Sequence, residues 1–257
     1  MRTTKGQPRS GKAEDRRYFR GDFFHCAQTV HATQVTLCVV VADQRRGLFV
    51  IGHQPRLEAF GIVVRTNGLT GLARLFGATN DAIDSLPEDW RQVQVLINNA
   101  GLAWGRESIQ EGIKEKWERM IDTNLKGVLY VTQAVLPLLR EATGVRTIIN
   151  LGSIAGKQAY AGGNVYSATK YAIDGLTQSM RIDLLPEGIR VGQIAPGAAE
   201  TEFSLVRFDG DASKAKQVYT GFDPLQAGDI ADAAWFMVSR PAHVCINDLI
   251  IMPTAQA

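Results

Sequence analysis

The chain has 257 residues, 45% hydrophobic, 21% charged and 8% aromatic, a globular mixture that argues against collagen-like, coiled-coil and wholly disordered architectures. A formal net charge of +2 gives no general attraction for nucleic acid or an acidic membrane surface, so neither is expected as a partner. Three scattered cysteines, Cys26, Cys38 and Cys245, make neither a disulfide framework nor a paired-cysteine metal site; the expectation is reduced thiols, a cytoplasmic location and no metal. The longest early apolar run, residues 35–42, is too short to span a bilayer and too far along to be a secretory signal.

The charge divides the chain. Residues 1–80 carry ten Arg and two Lys against five acidic residues, whereas residues 81–257 are net acidic, and three of the four histidines fall in the first part. In that first part the apolar runs 35–42, 47–51 and 60–64 lie closer together than the roughly dozen residues a parallel crossover needs. They suit antiparallel pairing and cannot be the opening βαβαβ of a doubly wound sheet.

From about Asp81 the pattern becomes regular. Residues 93–97 read as a buried strand running into Asn98-Asn99-Ala100-Gly101. Residues 115–140 show helical spacing of Trp117, Met120, Ile121, Leu125, Val128 and Val135, and residues 146–151 are the next strand. Residues 166–185 form a long helix stopped by Pro186 and Gly188, and residues 189–194 a strand ended by Pro196-Gly197. A shorter helix over 227–239 and a last strand over 244–252 complete the chain. Strands alternating with helices of this length predict an α/β fold, a Rossmann-like doubly wound parallel sheet with helices on both faces. Ligands of such sheets bind beyond the carboxyl ends of the strands, where Asn98, Ser153 and Pro196 all fall.

The strongest chemical signal is Tyr166-Ser-Ala-Thr-Lys170, with Ser153 thirteen residues upstream. Tyr166 and Lys170 are i and i+4 on one helical face. A phenol is a weak acid–base group at neutral pH, and a neighbouring ammonium favours its ionised form. Such a tyrosine can exchange a proton with an alcohol or carbonyl, and Ser153 can hydrogen-bond the same oxygen. Asn124 places a carboxamide in the apolar stripe of the 115–140 helix, which fits either a structural network or the holder of a catalytic water. The Asn98–Gly101 turn suits a flat ligand close to the backbone, or a brace between strands. Pro196-Gly197 can pass close to a cofactor ring.

In this order and spacing, NNAG, Asn124, Ser153, YSATK and the Pro-Gly turn resemble the short-chain dehydrogenase/reductase family over about residues 80–257. The resemblance implies NAD(P)-dependent oxidoreduction at an alcohol or carbonyl carbon. It implies Tyr166 as acid/base, Lys170 as the group that lowers its pKa and holds the nicotinamide ribose, Ser153 as the substrate-oxygen partner and Asn124 as holder of a relay water. It further places Asn98, Ala100 and Gly101 on the adenosine side and Pro196, Gly197 and Thr201 at the nicotinamide. The stretches GGNVYSATK, DLLPEGIRV, ETEFSLVRFDGD and PAHVCINDLIIMPTAQA resemble the NADP-dependent 3-hydroxy acid subgroup, which oxidises serine, allo-threonine or 3-hydroxypropionate. A carboxylate substrate needs a cation, for which Arg207 is the candidate; a solvated loop arginine is the alternative. Members are commonly homotetramers, with the helix bearing Tyr166 near an interface.

One departure stands against this. The family's glycine-rich TGxxxGxG turn, which cradles the cofactor pyrophosphate, has no counterpart: no two glycines within residues 1–80 are two or four apart. The length of that half is kept while its content is replaced. An out-of-frame segment joined to a true catalytic region (81–257) would leave this pattern, and so would a divergent N-terminal part on a cofactor-free scaffold protein.

Overall fold

The computed structural model describes residues 37–43, 47–53, 59–64 and 79–256 other than 82, 87, 89 and 90, the first three segments as backbone. Most of the atypical residues 1–80 lie outside the described residues.

Strands β1 (Leu37–Asp43), β2 (Gly47–His53) and β3 (Ala59–Val64) precede β4 (Val95–Asn98), β5 (Arg146–Leu151), β6 (Ile189–Pro196), β7 (Ala199–Glu200), β8 (Leu225–Gln226) and β9 (Asp248–Ile251). Seven of them form one sheet in the order β3-β2-β1-β4-β5-β6-β9, while β7 and β8 pair separately. From β1 through β4, β5 and β6 to β9 every pairing is parallel. The early runs instead pair antiparallel, β1 with β2 and β2 with β3, as their short separations require.

Among the described residues the helices after β4 are α1 (Lys114–Ile121), α2 (Gly127–Glu141), α3 (Asn164–Leu184), α4 (Phe203–Arg207), α5 (Ala212–Gln217) and α6 (Ala227–Val238). Alternation along each strand separates two cores. Leu96, Ile148 and Val191 pack under α2 and α3 with Val131, Val135, Leu139, Ile173 and Leu184. Val95, Ile97, Ile149 and Ile194 face the other way, against Ala233, Ala234 and Met237 of α6. Helices therefore cover both faces of the parallel part, as the alternating pattern predicts. At the end of α3 the chain turns through Gly188, whose φ of 67° is left-handed backbone that a glycine adopts without strain.

The last strand is shorter than its apolar run. Residues 244–252 read as strand, but only Asp248–Ile251 pairs with β6. The buried guanidinium of Arg190 explains the difference: it donates to Val244 O at 2.9 Å, Arg240 O at 3.0 Å and Val238 O at 2.9 Å. Val244 itself closes a turn onto Pro241 O. The run thus bends around a cation at the carboxyl end of α6, where the helix dipole favours positive charge, before it can join the sheet.

Between β4 and β5 lies a polar brace. Asn98 donates to Thr132 Oγ1 of α2 at 3.0 Å and to Asn150 Oδ1 of β5 at 2.8 Å, and Asn150 donates to Thr177 Oγ1 of α3 at 2.9 Å. Both carboxamides are buried, so each bond withheld leaves a polar group without water. Asn150→Ala is expected to lower stability by about 2 kcal/mol. A urea titration checks this, and an unchanged midpoint would show that the brace contributes nothing.

Candidate active site

The carboxyl ends of β4, β5 and β6 deliver three short segments to one edge of the sheet. Ser153 follows β5 and starts a single 3-10 turn, its Oγ accepting Ala155 N at 3.1 Å. The first turns of α3 carry Tyr166 and Lys170, 8% and 6% exposed. The link between α1 and α2 is a π-helical turn, Asp122–Lys126, with Asn124 inside it and 1% exposed. Such turns break the regular ladder and are frequent at functional sites.

Asn124 ties these segments together. Its Oδ1 accepts Leu102 N at 2.8 Å, and its Nδ2 donates to Leu102 O at 2.8 Å and to Thr169 Oγ1 at 3.0 Å. Thr169 in turn donates to Tyr166 O at 2.7 Å. One carboxamide therefore joins the loop after β4, the π turn and the helical turn that presents Tyr166 and Lys170.

Lys170 Nζ donates to Leu151 O at 2.8 Å, the last residue of β5, and lies 5.9 Å from the centre of the Tyr166 ring. Among the described residues no carboxylate pairs with it. Burial pushes its pKa down to about 8. Tyr166 is pushed up to about 12, chiefly by burial; a hydrogen bond from Ser153 pulls it down, Tyr160 pushes it up and Arg207 pulls it down. The sequence expectation of a phenol lowered by Lys170 is thus corrected for the chain alone. Burial dominates at the phenol, and it lowers the pKa of the ammonium as well.

Arg207, at the end of α4, closes the other side. Its guanidinium carbon lies 5.7 Å from the Tyr166 ring centre and 5.3 Å from that of Tyr160, and Nη2 donates to Tyr160 Oη at 2.6 Å. Its Nε is buried with no hydrogen-bond partner among the described residues. Phe203, opening α4, packs against Tyr166 with ring centres 5.6 Å apart.

A family model for the short chain dehydrogenases matches residues 65–210. The chain belongs to that family. It is therefore an oxidoreductase acting on an alcohol or carbonyl carbon. Sulfoacetaldehyde reductase 2 of Chromohalobacter salexigens is 46% identical over 70% of this chain and 71% of its own length. The NADP-dependent 3-hydroxy acid dehydrogenase YdfG of Salmonella typhi is 44% identical over 85% of this chain and 86% of its own. A solved closed form of serine dehydrogenase complexed with NADP+ superposes with a TM-score of 0.68 at 44% identity, covering 71% of this chain and 73% of that one.

Within this dehydrogenase fold the remaining sequence-selected residues separate. Gly101 stands beside the buried groups, a Cβ there lying 3.4 Å from Lys170 Nζ and 3.6 Å from Asn124 Oδ1, whereas Ala100 is buried in the core with Leu96 and Val128. Pro196 ends β6, and Gly197 donates to Ile251 O at 2.8 Å, fixing the turn against β9. Thr201 is exposed at the rim, its hydroxyl accepting Phe203 N at 3.2 Å. Asn98 stands apart: its amide is held by Thr132 and Asn150 beneath the strand end. Two residues were missed by sequence reasoning. Thr169 lies inside the YSATK stretch, three residues after Tyr166, a spacing that places it under the same turn. Tyr160 precedes Gly162-Gly163, and a Cβ on Gly163 would lie 2.7 Å from its ring, so the glycine is what lets Tyr160 fold back toward Arg207. Among the described residues no group of His, Cys, Asp or Glu has the makings of a metal site, and no helix is long and apolar enough to cross a membrane.

Holding Lys170 protonated in this pocket is destabilising. Between about pH 8 and the ordinary lysine value of 10.5 the folded chain has released a proton that the unfolded chain keeps, so stability rises with pH in that window. Tyr166 acts oppositely between 10 and about 12, where the folded chain keeps the proton and stability falls. Lys170→Met is expected to raise stability at pH 7 by about 2 kcal/mol, after loss of one hydrogen bond, and to flatten the rise between pH 7.5 and 9.5. Denaturant titrations at the two pH values check both signs.

Proposed function

We propose that the chain transfers a hydride between NADP, or NAD in its place, and a small hydroxy compound with an anionic group: a 3-hydroxy acid such as serine, allo-threonine or 3-hydroxypropionate. The observation that carries this reading is Arg207, a cation beside Tyr166 with a buried, unpartnered Nε. An anion on the substrate would give that group its partner. The substrates in the relatives' names, 3-hydroxy acids and sulfoacetaldehyde, each carry an acidic group, which supports the same chemistry.

The donor set at the sheet edge fits the nicotinamide end of such a cofactor. Lys170 has ammonium protons beyond the one given to Leu151 O, suited to ribose hydroxyls, and Gly101 leaves the space beside it open. Pro196, Gly197 and Thr201 would border the ring, with Asn98 and Ala100 toward the adenosine. Bound, the nicotinamide accepts or supplies the hydride and, when oxidised, brings a positive charge. Ser153 orients the substrate oxygen. In reduction Tyr166, protonated at neutral pH, gives its proton to that oxygen; in oxidation it must first release that proton, and its phenolate then takes one from the substrate hydroxyl. Asn124 Oδ1 keeps one lone pair for a relay water, the other being held by Leu102 N. Residues 81–257 form the catalytic part of one Rossmann-type domain, in the cytoplasm. The outer face at the end of α3 and the turn after it, with Ile182 and Leu185 72% and 73% exposed, would be covered in a homo-oligomer, a tetramer by resemblance.

A second reading is favoured by the sequence of residues 1–80, where no glycines stand two or four apart: a cofactor-free scaffold or frame-disrupted reductase on the same fold. Energy transfer from tryptophan to the nicotinamide, titrated with NADPH and with NADH, separates the two. Saturable binding that favours NADPH supports the enzyme; a folded chain that binds neither supports the scaffold. In the enzyme, Tyr166→Phe is expected to lower kcat by about 10³-fold with NADPH binding retained. Arg207→Met is expected to raise KM for 3-hydroxypropionate about tenfold, the loss of one charge-assisted contact, and to leave a neutral alcohol unaffected.

A further inference from the structure

Arg207 is held from beyond the active site. Helix α4 ends in a Schellman turn, with Gly210 N donating to Leu205 O at 2.8 Å and Asp209 N to Val206 O at 3.3 Å. The left-handed position of that turn, usually glycine, is taken by Asp209 at φ 54°, the one non-glycine residue with positive φ among the described residues. Its side chain has partners that a glycine would lack. Trp104 Nε1 donates to Asp209 Oδ1 at 2.5 Å, and Lys116 Nζ of α1 donates to Oδ2 at 3.3 Å while also pairing with Glu107 at 3.0 Å. Beside this clip Gly105 N donates to Arg207 O at 2.9 Å. Residues 104 and 105 therefore grip the helix end at positions 209 and 207 together.

We propose that Asp209 is a positioning residue for substrate recognition: clipped to Trp104 and Lys116, it fixes the end of α4 so that the Arg207 guanidinium stays over Tyr166 and receives the anionic end of the substrate. This rests on the reading of Arg207 given above. The exposed ion pair with Lys116 adds little by itself. The indole bond is the directional part, since it joins a rigid donor on the loop after β4 to a carboxylate two residues from Arg207. Trp104 and Lys116 hold the Asp209 carboxyl below its usual range, as a carboxylate engaged by two donors should be.

The test compares Asp209→Gly, which suits the left-handed backbone and removes the clip, with Asp209→Asn, which tolerates the same backbone and keeps an oxygen for the indole. Arg207→Met serves as the reference. Asp209→Gly is expected to raise KM for 3-hydroxypropionate about tenfold, while kcat, the turnover of the neutral alcohol propanol and the melting temperature all hold. Asp209→Asn should restore most of the loss. Titration of the full chain with 3-hydroxypropionate by calorimetry gives the same comparison without turnover, the dissociation constant rising in Asp209→Gly and recovering in Asp209→Asn. An Asp209→Gly protein that keeps parental affinity while Arg207→Met loses it would overturn the positioning role and leave the anion reading standing. So would an equal loss toward propanol, or a loss that Asp209→Asn does not repair. If Arg207→Met itself keeps parental affinity, or the parent takes up no 3-hydroxypropionate, the anion reading falls and the proposal with it.

Discussion

The carboxamide of Asn124 is the interaction on which the rest of the site depends. It satisfies both the N–H and the C=O of Leu102, so the loop after β4 is held as a strand would hold it, but by a side chain. Its third bond reaches Thr169, which returns to the backbone of Tyr166. Three segments far apart in sequence thus share one buried node. The π turn is the geometry that makes this possible, because it swings a residue of the apolar stripe out of regular helical register and toward the sheet edge. A buried amide with this many partners is worth having only if all are present; a missing partner leaves an unsolvated polar group.

What the sequence made legible was the part governed by period and length. The spacing of Trp117, Met120 and Val128 announced a helix, and Tyr166 with Lys170 announced one face of another. The short intervals between the early apolar runs already excluded parallel crossovers, and β1, β2 and β3 pair antiparallel. What remained hidden depends on long-range contacts that no local pattern encodes. Asn98 is drawn beneath the sheet edge because Asn150, 52 residues later, stands opposite it in register. Residues 244–247 have the apolar content of a strand, but Arg190 captures the carbonyl of Val244. Tyr160 reads as an ordinary loop aromatic until Arg207, 47 residues away, meets it.

The same distinction explains the Tyr166 phenol. Spacing placed an ammonium on its helical face, and charge alone then argues for an easier loss of its proton. Burial acts on both groups at once, and in a low-dielectric pocket it disfavours phenolate and ammonium alike. Lys170 therefore sits where its proton is held least firmly, and Tyr166 where its proton is held most firmly. An environment that keeps a phenol protonated next to an ammonium of lowered pKa favours proton donation to a newly formed alkoxide. Running the reaction in the other direction calls for further positive charge at the phenol, and of the influences on it that of Arg207 is the smallest.

This arrangement also locates where the catalytic end of the fold gets its rigidity. The site side chains discussed lie between residues 98 and 209, and they rest on cores that, among the described side chains, run from Ile83 onward. Strand β4 is buried along its whole length, flanked by β1 on one side and β5 on the other. Among the described residues the side chains at the candidate site are held through β4, β5, α2 and α3 and the segments that follow them. Binding a pyrophosphate is a different task, because it relies on backbone N–H groups presented by a glycine turn and not on side chains. A chain can hold the first arrangement intact while its opening segment lacks the glycine spacing of the second. For this dehydrogenase the side-chain arrangement around Asn124 and the binding of a pyrophosphate are accordingly separable tasks, the first resting on buried side-chain hydrogen bonds and the second on backbone N–H groups.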